Sequence, residues 1–292
     1  MQTIYHYCDA AAFISIITSG MLRLTHTRKM NDHSEGLVIE RAMLEWLDDA
    51  VQQRVFSSED RETVRLALSE RRPELYATCF SRERDSTAQW MNYADRGRGF
   101  AIGFDPDLLW HNTLASSNHS EWGEDIFVIP VPAETSPEKR IALTPVLYVD
   151  KGRKSAIMSR LITEIRAFMK HSAIDGVVGA CAFYGAISKD VSFKHEQEVR
   201  LVYRPGIIPA PPRSGRPPHI IGPLSPLQWR AGAYGVTPYF DFRVPVEAIK
   251  EVWIGPANPE HKDHSARHLL ENLLRFHGMS DVALAESQSP YR

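Results

Sequence analysis

Three cysteines in 292 residues, Cys8, Cys79 and Cys181, are too far apart and odd in number for a disulfide framework. They fit reduced thiols in a cytosolic protein. No apolar stretch approaches the roughly 20 residues that span a bilayer. The opening Met1-Gln-Thr-Ile-Tyr5 lacks the basic region and apolar run of a secretory leader. The expectation is a cytoplasmic protein without a membrane partner. Excess charge of one sign is also missing: 34 basic against 36 acidic residues leave −2, which gives no global attraction to nucleic acid. Any basic patch must be local. There is no P-loop, dinucleotide fingerprint or Gly-x-Ser-x-Gly elbow, and no cysteine pair at zinc-finger spacing. His261, His264 and His268 have the spacing of helical metal ligands. On a helical wheel they lie opposite Leu269, Leu270 and Leu273 and face solvent, so no metal is expected.

What is present is ordinary for a globular chain, 43% hydrophobic and 24% charged, enough to bury a sizeable core. Thr3–Tyr7 reads as a strand. Asp9 caps a helix with Phe13, Ile14, Ile16 and Ile17 at helical spacing, and Gly20 ends it. Leu22–Thr25 is a second strand; helices follow from Ser34 to about Val51 and from Glu59 to Glu70. Tyr76–Ser81 and Phe100–Phe104 are strands around a short helix with Trp90 and Tyr93, opened by the capping box Ser86-Thr-Ala-Gln89. Strands are expected at Ile126–Val131 and Leu143–Val149, an amphipathic helix from Ser155, and an apolar segment over Ile174–Ile187. Later come strands over Gly235–Arg243 and Ile249–Ile254, a helix from Asn258-Pro259 to a stop at Gly278, and a last strand over Asp281–Ala285. No internal repeat interrupts this order. The expectation is one α+β domain over residues 1–292, with a Pro-rich insertion over 205–235.

Ser192–Tyr203 organises the rest. Read as a strand, it puts Phe193, His195, Gln197, Val199, Leu201 and Tyr203 on one face and Lys194, Glu196, Glu198 and Arg200 on the other. Two carboxylates roughly 6.5–7 Å apart at their Cα atoms would then be bracketed by two cations. Such a strand floors a polar active site, or it is a charged edge strand that discourages edge-to-edge pairing.

Two further features carry chemistry. His6 shares a strand face with Ile4, so it points inward, as a satisfied core residue or as a neutral imidazole bonding a ligand hydroxyl. Cys8, on the same face if the strand is regular, has little weight as a nucleophile. The stretch from Val199 to Phe240 contains no Asp or Glu but holds Arg200, Arg204, Arg213, Arg216 and Arg230, interleaved with Tyr203, Trp229, Tyr234 and Tyr239. Arginine with aromatics suits phosphate or base contacts; the other reading is a solvated loop with incidental cations.

Together, several motifs resemble a bacterial family, domain of unknown function 2971. They are Tyr5-His6-Tyr7, the helix ending at Gly20, Asn31-Asp32 with Glu35, Phe80-Ser81, Trp90, Tyr93-Ala94, Gly99–Phe104, Glu196-Gln-Glu198-Val-Arg200 and Ile254-Gly255-Pro256. The departure is His33-Ser34, where that family has proline and phenylalanine after Asn-Asp. A first-strand histidine, a helix ending in Gly-x-Leu and a late Glu-x-Glu strand are similar to the ADP-ribosyltransferase superfamily, above all to toxins that modify nucleic acid. That resemblance implies a mixed-sheet fold of ADP-ribosyltransferase-like type and NAD as substrate, with no metal. It implies that His6 holds a ribose hydroxyl, that Tyr7 or Tyr93 packs on nicotinamide in a pocket shared with Asn31 and Trp90, and that Glu198 stabilises the oxocarbenium-like transition state. Glu196 would orient or activate the acceptor. The acid-free run itself is expected to form a basic lip beside the cleft, with Arg213, Arg216 and Arg230 contacting a phosphate-bearing acceptor such as nucleic acid. A toxin or anti-phage effector is the implied setting. Alternatives are a hydrolase of NAD or another nucleotide, and a non-catalytic nucleotide-sensing or nucleic-acid-binding module.

Overall fold

The computed structural model describes residues 2–30, 36–54, 56–70, 74–110, 141–150, 174–205, 224–232 and 235–291. It is an α+β structure built on a mixed sheet. In chain order come β1 (Ile4–Cys8), α1 (Ala10–Ser19), β2 (Met21–His26), α2 (Gly36–Gln52), α3 (Ser58–Glu70), β3 (Tyr76–Ser81), α4 (Thr87–Tyr93), β4 (Phe100–Phe104) and the short α5 (Pro106–Leu109). After them lie β5 (Ile141–Pro145), β6 (Leu147–Val149), α6 (Ile174–Ile187), β7 (Ser188–Asp190), β8 (Glu198–Tyr203), β9 (Gln228–Gly232) and β10 (Gly235–Arg243). The described chain closes with β11 (Ile249–Ile254), α7 (His264–Phe276) and β12 (Ala283–Glu286). The expected strand at 126–131 and helix from Ser155, with Asn31, Arg213 and Arg216, lie outside the described residues. No helix among the described residues is long and apolar enough to cross a membrane.

The sheet forks, and the fork positions the site. One edge of β3 is fully occupied by β8, antiparallel from Tyr76↔Tyr203 to Ser81↔Glu198, with β5 flanking β8. The opposite edge is shared. β2 takes its beginning, at Thr25↔Ala77 and His26↔Tyr76, whereas β1 meets it only at Tyr5↔Ser81. One wing then continues through β4, β11 and β12, and the other through β10 and β9. β1 and β2 are both antiparallel to β3, hence parallel to each other, and parallel neighbours need a crossover. The crossover is α1. Asp9 caps it by accepting from Ala12 N–H, and Gly20, at φ +65°, ends it in the left-handed conformation. Phe13, Ile16 and Ile17 are buried, and Phe13 stacks on Phe100 at 4.1 Å; Ile14 is exposed.

Three apolar clusters hold this frame. The largest joins α1 to both wings and includes Val199, Leu201 and Tyr203 of β8. A second packs α2, α3 and α6 onto Ala77, Ala142 and Val202, and a third gathers Tyr5, Tyr7, Trp90, Ala94, Ala101 and Trp253. β8 is therefore buried on both faces, which excludes the edge-strand reading.

Three expected elements are corrected. β8 begins at Glu198, because Val191–Glu196 winds into a 3₁₀ turn and Gln197 takes φ +46°. The helix expected from Asn258 begins at His264. Asn258 instead donates from Nδ2 to the carbonyls of Arg98 and Gly99, and Asp263 caps α7 by accepting from Ser265 and Ala266 N–H. Ser86 precedes α4 but makes no side-chain capping bond, and its expected box partner Gln89 is turned toward Glu196.

The glycines near that Asn258 anchor are required by close approach. A Cβ on Gly99 would collide with the Cys8 carbonyl, and one on Gly255 with the Gly97 carbonyl, while Gly255 N–H donates to Gly99 O at 3.0 Å. Backbone cannot yield as a flexible side chain does. Gly99→Ala should destabilise the fold by roughly 1–3 kcal/mol, read as a lower urea midpoint; an unchanged midpoint would contradict this packing.

Candidate functional site

A cavity of about 990 Å³ opens at the fork. Its inner wall carries four charged side chains: Lys189, Glu196, Glu198 and Arg200 expose only 3–7% of their surface. Arg200 grips Glu198 with two bonds, Nε to Oε1 at 2.7 Å and Nη2 to Oε2 at 2.9 Å, and donates from Nη1 to Ala186 O at 2.6 Å. Lys189 Nζ stands 2.6 Å from Glu196 Oε2 and 3.5 Å from Glu198 Oε2, and lies 4.6 Å from the Phe193 ring centroid. Two cations and two anions leave the cluster neutral, as burial demands.

The local chain explains the geometry. The 3₁₀ turn after β7 folds the chain back, so Lys189 meets carboxylates seven and nine positions later. Gln197 in the left-handed region then reverses the path, with its N–H and its side-chain amide both donating to Lys194 O. Left-handed backbone in a residue other than glycine is uncommon and gathers at sites where surroundings over-determine it. Ser81 Oγ donates to Glu196 O, and Glu198 N–H to Tyr148 Oη, fixing the backbone on either side.

Tyr93, at the end of α4, donates to Glu196 Oε1 at 3.0 Å. Burial pushes its phenol up, so it stays a donor at neutral pH. Across the cavity, His6 Nδ1 is 2.9 Å from the Cys79 carbonyl. A carbonyl only accepts, so Nδ1 carries the proton and Nε2 is left as an acceptor for a ligand. Burial lowers the imidazole pKa, against the opposing effect of the Cys79 bond, and keeps the ring neutral.

Burial alone raises the Glu198 carboxyl, but the charge and hydrogen bonds of Arg200, then the charge of Lys189, outweigh it and bring it to about 2. Both shifts favour the deprotonated form in the folded state. Stability should therefore fall with pH below about 6.5 as His6 protonates in the unfolded chain, and fall further from roughly 4.3 downward through Glu198. Urea unfolding between pH 4.5 and 7.5 should show the first slope in the wild type and a flatter one in His6→Gln. Equal slopes would contradict a neutral His6.

The structure thus brings His6, Tyr7, Tyr93, Glu196 and Glu198 to one cavity. Tyr7 is committed elsewhere: its hydroxyl donates to Glu83 O and accepts from Ser86 N–H. Trp90 does not line the cavity; it is fully buried, edge-on to Tyr7, with Nε1 on Asp85. Arg230 stands on the cavity wall rather than on a separate lip. Cys8 is buried and its thiol is pushed up by that burial, which disfavours the thiolate. The partner expected in Lys194 is in fact Lys189. Lys189, Tyr148 and Gln89 escaped the sequence reading: the first two belong to the small β6–β7 pair, and Gln89 had the look of a cap.

An α+β protein with a forked sheet and a neutral ion cluster walling a cavity is the class defined by these features. The family model described as "Protein of unknown function (DUF2971)" matches residues 89–201, which places this segment in that family. The matched stretch carries Tyr93, Lys189, Glu196, Glu198 and Arg200. No curated protein and no solved structure gives a significant match.

Proposed function

We propose that the cavity binds NAD or a related nucleotide and that the protein is an ADP-ribosyltransferase-like enzyme. One observation carries this reading. Separated segments converge on a single cavity, bringing the Nε2 acceptor of His6 and the Tyr93 ring together with a fixed pair of carboxylates. Breaking the bond between C1′ of the ribose and the pyridinium nitrogen returns the electron pair to nicotinamide and leaves positive charge on the ribose. Glu198, ionised at every physiological pH, supplies a preorganised negative charge there. An acceptor hydroxyl or amine then forms the new bond to C1′ and gives up its proton, in this reading to Glu196. His6 accepts from a ribose hydroxyl, and Tyr93 offers its ring to nicotinamide.

The experiment is incubation of the full chain with NAD labelled in the adenylate half, with and without macromolecular acceptors. Nicotinamide release with label on the acceptor is expected. Release of free ADP-ribose alone would make the protein a hydrolase, and thermal stabilisation without turnover would make it a sensor. Neither stabilisation nor release at millimolar NAD would overturn the reading.

A further inference from the structure

Arg23 and Arg230 also line the cavity and take no part in the cluster around Glu198. Arg23 on β2 and Arg230 on β9 flank β10, whose residues Thr237, Tyr239 and Asp241 share one face by the strand period. Arg23 is in register with Asp241, and Arg230 with Thr237, so both guanidiniums project over the same face, on either side of Tyr239. Arg23 lies over the Tyr239 ring, 4.4 Å from its centroid. Asp241 is shared: Gln228 Nε2 donates to its Oδ2 at 2.8 Å, and its Oδ1 makes only a long ion pair with Arg23, 3.8 Å from Nε and beyond hydrogen-bond reach. Gln228 is itself held by Tyr239 Oη and Ser225 Oγ. Among the described residues Arg230 makes no ion pair.

We infer that Arg23 and Arg230 form a phosphate-binding fork at the cavity mouth, which takes the diphosphate of the ligand whose ribose end reaches Glu198. Choosing a nucleoside diphosphate rests on the nucleotide reading above; the fork itself rests on the placement of two cations around one engaged carboxylate. Partial desolvation of its largely exposed side chain, and then the repulsion of Arg23, lower the pKa of Arg230, a tension that an anion between them relieves. Guanidinium forks match phosphate oxygens two at a time. The absence of acid from Val199 to Phe240 has the same effect, since it leaves Arg230 without a competing carboxylate nearby in sequence. This moves Arg230 from contact with a macromolecular acceptor to contact with the small ligand.

The test is calorimetric titration of the full chain with ADP and with adenosine, for the wild type, Arg23→Gln, Arg230→Gln and the double variant, over a series of salt concentrations. Each single change should weaken ADP binding about 10-fold and leave adenosine unaffected, and the double variant should lose most of the salt dependence. Thermal melts of the variants should match the wild type, since both side chains are exposed. Wild-type affinity for ADP in the double variant, or an equal loss for ADP and adenosine, overturns the fork. So does loss of oligonucleotide binding with ADP binding intact. If ADP binds through both arginines but NAD is never cleaved, the fork stands and the enzymatic reading falls. If NAD is cleaved by the double variant with unchanged KM, the reverse holds.

Discussion

Arg200→Leu is expected to lower the unfolding free energy by about 3–5 kcal/mol, because removing one partner leaves a buried charge uncompensated. Glu198 loses both Arg200 bonds and keeps the uncharged Cys79 thiol and Lys189 at 3.5 Å, a lysine already committed to Glu196 at 2.6 Å. Against a typical total of about 5–15 kcal/mol, that is a large share. The cluster's neutrality gives the control. Glu198→Leu combined with Arg200→Leu removes one charge of each sign and leaves Lys189 paired with Glu196. The double variant should therefore recover most of the loss, short of the bond from Arg200 to Ala186 O. Urea unfolding of the two singles and the double measures this coupling; a double variant as unstable as the summed singles would contradict a coupled cluster.

Glu198→Gln should reduce NAD cleavage about 100-fold or more, the usual loss when one preorganised electrostatic group is removed from a water-poor site. In the proposed reaction the swap keeps shape and removes the charge that the transition state exploits. It also leaves Arg200 and Lys189 facing the single anion of Glu196, so a lower melting temperature should accompany the loss, and turnover must be compared per folded molecule. Retained stabilisation by NAD separates lost chemistry from lost binding. Full activity in Glu198→Gln with none in Glu196→Gln would assign the carboxylates the other way round.

The strands and the cavity were unequally legible in the sequence. Alternation and caps located β1, α1, β2, β3, β4 and β11 because each signal there is local: Asp9 caps its own helix, and Gly20 ends it. The glutamates on Ser192–Tyr203 were found through a period of two that only part of the segment obeys. Glu198 and Arg200 share a face because they lie within β8, whereas Glu196 joins them through a 3₁₀ turn and a left-handed Gln197. No propensity favours that conformation at glutamine. Lys189 was invisible for the same reason, since its partnership depends on a chain reversal rather than on spacing. Gln89 shows local and long-range chemistry in competition: three residues after Ser86 it has the form of a cap, but it is drawn to the Glu196 carbonyl at 3.5 Å. The fork in the sheet has no sequence signature at all. It arises because two parallel strands share one edge of β3, a property of topology.

A crystal structure of the Glu198→Gln variant soaked with NAD should show nicotinamide against Tyr93, a ribose hydroxyl within hydrogen-bond distance of His6 Nε2 and the introduced side-chain amide beside the ribose. A nucleotide bound outside the fork, or bound with its ribose turned away from both His6 and position 198, would contradict the proposed nucleotide site.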